Sequence, residues 1–352
     1  MGGREKLFWA LVACAIVPIL IYSCTLNAPF IFDDIGNIVM NPDIKNPENI
    51  TNRLVFRSAY RMGINDPSRP VTFLTFALNY RWGVLNTYGY HVVNVLLHIL
   101  NTLLIFLLTR TICKLLFREE SIFLSMMTAL LFTTHPIQTE VVTYISHRSD
   151  SLSTLFCLCS LWLFIISTEK GKWCLAASLL CFSFAMGSKQ ISAVLPPILL
   201  IFDYMFLSSG DLKKVFQNKS KHLPFWMILT AYVLFRYFYL GQLGDPGEST
   251  YRKWTPYTYL ITQSYVIVNY LRMLFYPTGQ CFNHFVNPAG TILETRIMAS
   301  IAILTIGLGT VYWLSRKSLP ARSWVWFSTV WFILALAPTS SVFPISDAMA
   351  ER

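Results

Sequence analysis

The sequence predicts an all-α polytopic membrane protein, and three observations carry that class. Hydrophobic residues make up 54% of the 352-residue chain, only 13% are charged, and the mean hydropathy is +0.50. Several apolar runs are long enough to cross a bilayer, for which about 20 residues suffice. Between those runs the cations gather on alternating connections, which together with the N-terminal Arg4 and Lys6 hold 14 of the 28 Lys and Arg, as expected where cytoplasmic loops carry the positive charge. The formal charge of +10 therefore has a topological origin, and no nucleic-acid partner is expected. The eight cysteines mostly sit in or beside apolar runs without CxxC spacing, so neither a disulfide framework nor a zinc site is indicated. A single membrane domain over 1–352 with about nine spans is the predicted organisation.

The first span, 7–26, follows Arg4 and Lys6, which hold its start on the cytoplasmic side. Its apolar run is too long for a cleaved signal and no A-x-A site follows, so it is read as retained. Asp33 and Asp34 then emerge on the opposite face. Residues 27–88 form an extracytoplasmic loop, too polar to cross the bilayer but patterned for surface helices. Asn46-Pro47-Glu48 carries the start signals of one, with Ile50, Leu54 and Val55 at helical spacing. A second is predicted after Asp66-Pro67-Ser68-Arg69-Pro70, with Phe73, Leu74, Ala77 and Tyr80 on one apolar face.

The second span, 90–108, returns to the cytoplasm at Arg110, Lys114 and Arg118. The third starts near 122 and ends at His135-Pro136, because proline lacks the donor that would continue the helix. The turn from His135 to Glu140 opens a fourth span reaching 166, with Lys170 and Lys172 beyond it. A fifth, 173–186, turns at Gly187-Ser188-Lys189-Gln190 into a sixth, 191–206, which leads to Lys213, Lys214, Lys219 and Lys221. After a seventh span at 225–240, residues 259–275 are apolar yet carry Thr262, Gln263, Asn269 and Arg272. Were that segment to cross, Arg316, Lys317 and Arg322 would face outside, so it is placed on the outer surface or as a re-entrant helix. Spans at 297–314 and 324–337 complete the count. This parity puts Asp33, His135, Glu140, Lys189, Arg272, His284 and Asp347 on one face of the membrane.

Two adjacent carboxylates at a low-dielectric boundary repel, and one should gain proton affinity, which suits a general base. The plainer account of Asp33 and Asp34 is a solvated pair capping a surface helix. His135 and Glu140 flank a tight turn that a cap and the helix dipole also explain. With helix assumed from Thr139, His147, Arg148 and Asp150 would lie roughly 12 to 17 Å inside the fourth span. Charges at such depth require pairing or a watery cavity. Arg148 and Asp150 do not share a helix face, so separate partners are expected. Lys189, Arg236 and Arg272 suit a phosphate at the rim of a bundle, with snorkelling as the alternative. Asn49-Ile50-Thr51 fits a glycosylation sequon.

Several ordered motifs together resemble a known family. Phe32-Asp33-Asp34 with Asn41-Pro42, Arg69-Pro70-Val71-Thr72 and Tyr90-His91-Val92-Val93-Asn94 begin the series. His135-Pro136-Ile137-Gln138-Thr139-Glu140 and Ser146-His147-Arg148-Ser149-Asp150 follow, then Ser188-Lys189, Tyr270-Leu271-Arg272, Ala337-Pro338-Thr339-Ser340-Ser341 and Ala350-Glu351-Arg352. Over residues 29–352 this order is similar to the membrane half of the transmembrane-and-tetratricopeptide-repeat proteins.

The resemblance implies a GT-C-like helical bundle, an integral membrane glycosyltransferase whose animal members are protein O-mannosyltransferases. It implies a polyprenyl- or dolichyl-phosphate sugar as donor, a hexose such as mannose, and a protein or glycan hydroxyl as acceptor, within membrane lipid. Asp33 and Asp34 match the catalytic position of an inverting transfer. Lys189, Arg272 and His135 are the candidates for the donor phosphate, and Glu140, Arg148, Asp150, Glu351 and Arg352 for support. No cofactor is expected, although the paired acids could hold magnesium or manganese. The alternatives are a lipid-linked-sugar flippase, with Arg148 and Asp150 lining a pathway, and a non-catalytic anchor for a repeat domain. A bacterial inner membrane is the expected location, or the endoplasmic reticulum membrane in a eukaryote. Gln190 departs from the acid common at its place in the family. The chain also stops at Arg352, before the tetratricopeptide-repeat domain expected of a longer protein.

Overall fold

The computed structural model describes residues 2–45, 68–240, 254–282, 284–316, 319–340 and 349, and among them the secondary structure is helical with no strand. Five helices are long and apolar enough to cross a membrane, accompanied by three shorter apolar helices. The all-α polytopic class is thus the observed one. The helix predicted at 46–55, the sequon, Asp347, Glu351 and Arg352 lie outside the described residues.

The α-helices in chain order are α1 Gly3–Tyr22, α2 Pro42–Lys45, α3 Pro70–Gly83, α4 Thr87–Phe117, α5 Ile122–Thr134, α6 Gln138–Thr143, α7 Arg148–Lys170 and α8 Lys172–Met186. They continue as α9 Leu195–Phe202, α10 Leu212–Gln217, α11 Lys219–Phe235, α12 Pro256–Phe275, α13 Thr295–Ser315 and α14 Leu319–Leu336. Two compact units divide them: residues 1–195 with 220–243, and residues 196–219 with 244–351.

Local chemistry sets several of these limits. Pro70 stands at the first position of α3, where its missing N–H costs nothing. Asn86 caps α4 by accepting from the Tyr88 amide at 3.1 Å, and Ser121 caps α5 by accepting from Leu124 at 3.2 Å. Gly171, at φ +85°, makes the tight reversal from α7 to α8, a left-handed conformation that glycine adopts without penalty.

In the first unit α4 packs on α1, α5 and α7, and α8 pairs along α7. Ala10, Cys14, Phe106 and Ala129 form a buried cluster where α1, α4 and α5 meet. Small residues bring α7 and α8 close: the hydroxyls of Ser160 and Ser178 each donate to the other's carbonyl, at 2.8 and 2.7 Å. Phe225 of α11 packs edge-on to Phe164 and at a tilt against Phe182. Above these spans, Ile38 and Ile44 from the first loop are buried with Phe73, Phe76, Ala77, Tyr90 and Ile145. The apolar face predicted for α3 is shifted accordingly: Phe73 and Ala77 face inward with Phe76, whereas Leu74 is 48% exposed.

Along α4 a seam of polar residues is buried at intervals of three and four. Nε2 of His91 donates to the Ala28 carbonyl at 3.1 Å, and Nδ2 of Asn94 to the carbonyls of Val142 and Tyr144 at 3.4 Å each. Nε2 of His98 lies 3.3 Å from the Thr133 carbonyl, and Nδ2 of Asn101 donates to that of Ser151 at 3.0 Å.

The predicted start of the fourth span is corrected. Helix α6 ends at Thr143, Tyr144 is extended at φ −86° and ψ 116°, a 3-10 turn covers Ile145–His147, and α7 begins at Arg148. A continuous helix would pair the Val142 and Tyr144 carbonyls with the amides four residues on. Asn94 takes both carbonyls, and Asp34 takes the Ser146 amide at 2.8 Å. The helix breaks because side chains outbid its own ladder. His147, Arg148 and Asp150 therefore stand at the mouth of α7, not well inside it.

In the second unit α12 packs against α13, and α13 against α14. Phe202 and Phe206 meet Phe327 edge-on at 5.5 and 5.1 Å. The Tyr259 hydroxyl donates to the Thr339 carbonyl, and the Ala289 amide donates to the Thr262 hydroxyl at 2.9 Å.

Candidate active site

The loop after α1 separates its two acids. Asp34 is 1% exposed: Oδ1 accepts from the Ser146 amide at 2.8 Å and the Ser146 hydroxyl at 2.6 Å, and Oδ2 from the Ile31 amide at 3.2 Å. Burial pushes its carboxyl above the ordinary aspartate range; the Ser146 and Ile31 bonds pull it back in part, and the Asp33 charge adds to the rise. Asp33 is exposed, and its main-chain amide donates to the Tyr144 hydroxyl at 2.7 Å. Phe32, directly before it, holds φ +42°, a left-handed conformation that costs a residue with a Cβ about 1–3 kcal/mol. The clamps on either side hold that turn in place.

Arg148 is fully buried and ties three helices together. Nε donates to Oδ1 of Asn94 at 2.8 Å, Nη1 to Oδ1 of Asn79 at 2.6 Å and to the Thr75 hydroxyl at 3.4 Å, and Nη2 to the Tyr90 carbonyl at 2.9 Å. The guanidinium also lies 4.6 Å over the Phe76 ring and 5.6 Å over that of Tyr90. Its hydrogen bonds thus go to neutral oxygens of α3 and α4, a fork geometry that arginine alone supplies. As expected, Arg148 and Asp150 have separate partners.

Asp150 is taken by Lys189, whose ammonium lies 2.7 and 2.6 Å from the two carboxylate oxygens. That pair joins the start of α7 to the turn after α8. The same turn is stitched to α3: the Val71 amide donates to the Gly187 carbonyl at 3.0 Å, the Thr72 hydroxyl to the Ser188 carbonyl at 3.0 Å, and Arg69 to Oε1 of Gln190 at 3.2 Å. Gln190 thus accepts from Arg69 through its neutral side-chain amide. An apolar hollow of about 190 Å³ opens beside this tie, walled by Pro70, Met186, Tyr232 and Phe235. Arg236, 2% exposed, donates to the Ser68 hydroxyl at 2.7 Å.

Glu140 and His147 meet at 3.4 Å, both largely buried, and the His147 ring stands edge-on to Tyr144 at 4.6 Å. His135 is half-buried, and its Nδ1 accepts from the Ile137 amide at 3.2 Å. Among the described residues no three His, Cys, Asp or Glu side chains gather closely enough for a metal ion. The first unit thus brings together Asp33, Asp34, Glu140 and Arg148 through α4, α6 and the Tyr144–Ser146 segment, and Asp150 with Lys189 beside them. Arg272 belongs to the second unit; it is exposed, and its Nη1 donates to the Thr278 carbonyl at 3.1 Å.

Tyr144, Ser146, Asn79 and Asn94 were not singled out as site residues from the sequence. The visible signal was on α4, where amides and imidazoles recur every three or four positions within an apolar run. Tyr144 carried none and Ser146 only its place in the Ser146–Asp150 motif, because their partners lie 111 and 112 residues away.

Residues 70–237 match the family described as dolichyl-phosphate-mannose-protein mannosyltransferase. A protein O-mannosyl-transferase of Caenorhabditis elegans is 26% identical over 97% of this chain and 48% of its own length. Protein O-mannosyl-transferase tmtc2 of Xenopus laevis is 38% identical over 41% of this chain and 17% of its own. For protein O-mannosyl-transferase TMTC1 of Homo sapiens the values are 30%, 54% and 23%. The chain spans about half or less of the length of these curated relatives. No solved structure matches it. The matched segment holds Asn79, Asn94, Arg148, Asp150 and Lys189, the side chains that knit α3, α4, α7 and the turn after α8. Residues 70–237, just under half of the chain, thus resemble the dolichyl-phosphate-mannose-protein mannosyltransferase family, within an integral, multi-pass membrane protein.

Proposed function

We propose that the first unit carries the catalytic site of a protein O-mannosyltransferase. The donor is a dolichyl- or polyprenyl-phosphate-linked mannose, and the acceptor is a protein hydroxyl at the extracytoplasmic face. The observation that carries this reading is the division of labour between neighbours: Asp34 is buried and saturated with hydrogen bonds, while Asp33 projects from the same anchored turn into solvent. Asp33 is then the general base and Asp34 its anchor. An acceptor hydroxyl loses its proton to the Asp33 carboxylate as its oxygen attacks the anomeric carbon. The bond from that carbon to the phosphate oxygen breaks, inverting the configuration, and the lipid phosphate departs with the electron pair. Phosphate leaves readily, so cations near it contribute more than a general acid would.

For the phosphate, Lys189 and His135, both in the first unit, remain our candidates. Lys189 is held by Asp150, so its contribution is the local field and the shape of the 187–190 turn. The hollow beside Pro70 and Tyr232 is our place for the first part of the carrier's lipid tail. The relatives named above are animal proteins, which supports the endoplasmic reticulum membrane over a bacterial inner membrane.

The test is transfer of labelled mannose from dolichyl-phosphate mannose by the purified full-length protein, comparing wild type with Asp33→Asn and Asp34→Asn. Loss of transfer by at least about a hundredfold in folded Asp33→Asn is expected of a general base. Transfer at the wild-type rate in Asp33→Asn would end the proposal.

A further inference from the structure

Tyr144 lies where the 31–34 turn meets the break between α6 and α7, and it is 2% exposed. Its hydroxyl oxygen accepts from the main-chain N–H of Asp33 at 2.7 Å. A hydroxyl that accepts through its oxygen still has its own hydrogen to give, and the charge that acts on it most strongly is that of Asp33. We infer that Tyr144 is the positioning residue for Asp33, gripping the backbone amide and the carboxylate of that one residue with a single hydroxyl. The inference rests on the reading of Asp33 as the base.

Three features of the surroundings support it. The phenol is kept as a donor: burial first, then the charge of Asp33, pushes its proton affinity above the ordinary tyrosine range. The ring is held by neighbours on separate elements, with His147 edge-on at 4.6 Å and the main-chain carbonyl bonded by Asn94 of α4. The turn it holds contains the left-handed Phe32, so without a fixed partner the Asp33 side chain has a strained backbone beside it and no restraint of direction. The charges that act on the phenol include Asp33 and Asp34 from the first loop, and the titratable His147 at the mouth of α7 stands against its ring. Asp34 and Ser146 fix where the turn sits. Tyr144 fixes which way its base points.

A base acts best when its lone pair is already aimed, so loss of the hydroxyl should appear in turnover and not in substrate binding. The experiment is steady-state mannose transfer by the full-length protein carrying Tyr144→Phe, with Asp33→Asn measured alongside. Tyr144→Phe keeps the ring against His147; kcat is expected to fall about tenfold, with KM for dolichyl-phosphate mannose within about twofold of wild type. An unchanged kcat in Tyr144→Phe, with transfer abolished in Asp33→Asn, would overturn the positioning role and leave the base in place. Transfer persisting in Asp33→Asn would overturn both. A rise in KM that matches the loss of kcat/KM, together with a lowered Tm, would make Tyr144 merely structural and also overturn the inference. If Tyr144→Phe does not yield folded protein, 3-fluorotyrosine at position 144 keeps both ring and hydroxyl while strengthening the donor. The weakened base is then expected to lower kcat about two- to threefold, and an unchanged kcat would overturn the inference.

Discussion

The ammonium of Lys189 sits 2.7 and 2.6 Å from the two carboxylate oxygens of Asp150, and both side chains are 7% exposed. In so dry a place each charge depends on the other. Lys189→Met or Asp150→Leu alone strands a buried ion and is expected to cost about 3–5 kcal/mol. The double variant strands neither and should recover most of that loss. Unfolding of the four proteins in one detergent measures the cycle.

Arg148 offers a sharper case, because charge is retained in the variant. Arg148→Lys keeps a cation but cannot reach Asn79, Asn94 and the Tyr90 carbonyl together. Loss of two or three bonds from a charged donor, each worth about 1.5–3 kcal/mol, is expected to destabilise the protein severely. Mannose transfer should fall with the folded fraction, read by size-exclusion chromatography.

For Asp34 the expectation is a pH dependence whose sign follows from burial. Its folded carboxyl titrates above 3.8, the ordinary aspartate value. Its contribution is therefore fully present below that value and is lost as pH rises through the folded one. The stability of wild type relative to Asp34→Asn should decline over that window and then level off. Thermal unfolding of both proteins from pH 4 upward checks this, and a difference that grows with pH would contradict it.

Gly187 marks a close approach. A Cβ at this position would stand 3.0 Å from Cγ2 of Val71, within the seam that ties α3 to the 187–190 turn. Gly187→Ala is expected to cost about 1–3 kcal/mol by overpacking. Adding Val71→Ala should return part of it, as shifts in melting temperature would show.

The all-helical membrane class was legible in the sequence, since long apolar runs and alternating cations are one-dimensional signals. Counting crossings gave the expectation that Asp33, Glu140 and Lys189 share one face of the membrane. The sequence could not divide the work between Asp33 and Asp34, because the difference lies in Ser146 and Tyr144, more than a hundred residues along the chain. Helix periodicity misplaced Arg148 and Asp150 for a related reason. No local propensity foretold that Asn94 and Asp34 would take the hydrogen bonds of the segment between α6 and α7. Lys189 looked like a free cation at a rim, and its buried carboxylate, 39 residues earlier, carried no mark of the pairing.

The buried polar seam of α4 addresses its neighbours through their main chain: Ala28, Val142, Tyr144, Thr133 and Ser151 all offer carbonyl oxygens. A carbonyl is present whatever side chain its residue bears. Mutational drift in this protein should therefore be lopsided. His91, Asn94, His98 and Asn101 are hard to replace, while Ala28, Val142 and Ser151, held through their carbonyls, can change identity and leave the contact intact. A deep mutational scan would show an intolerant stripe on one helix facing permissive positions at Ala28, Val142 and Ser151.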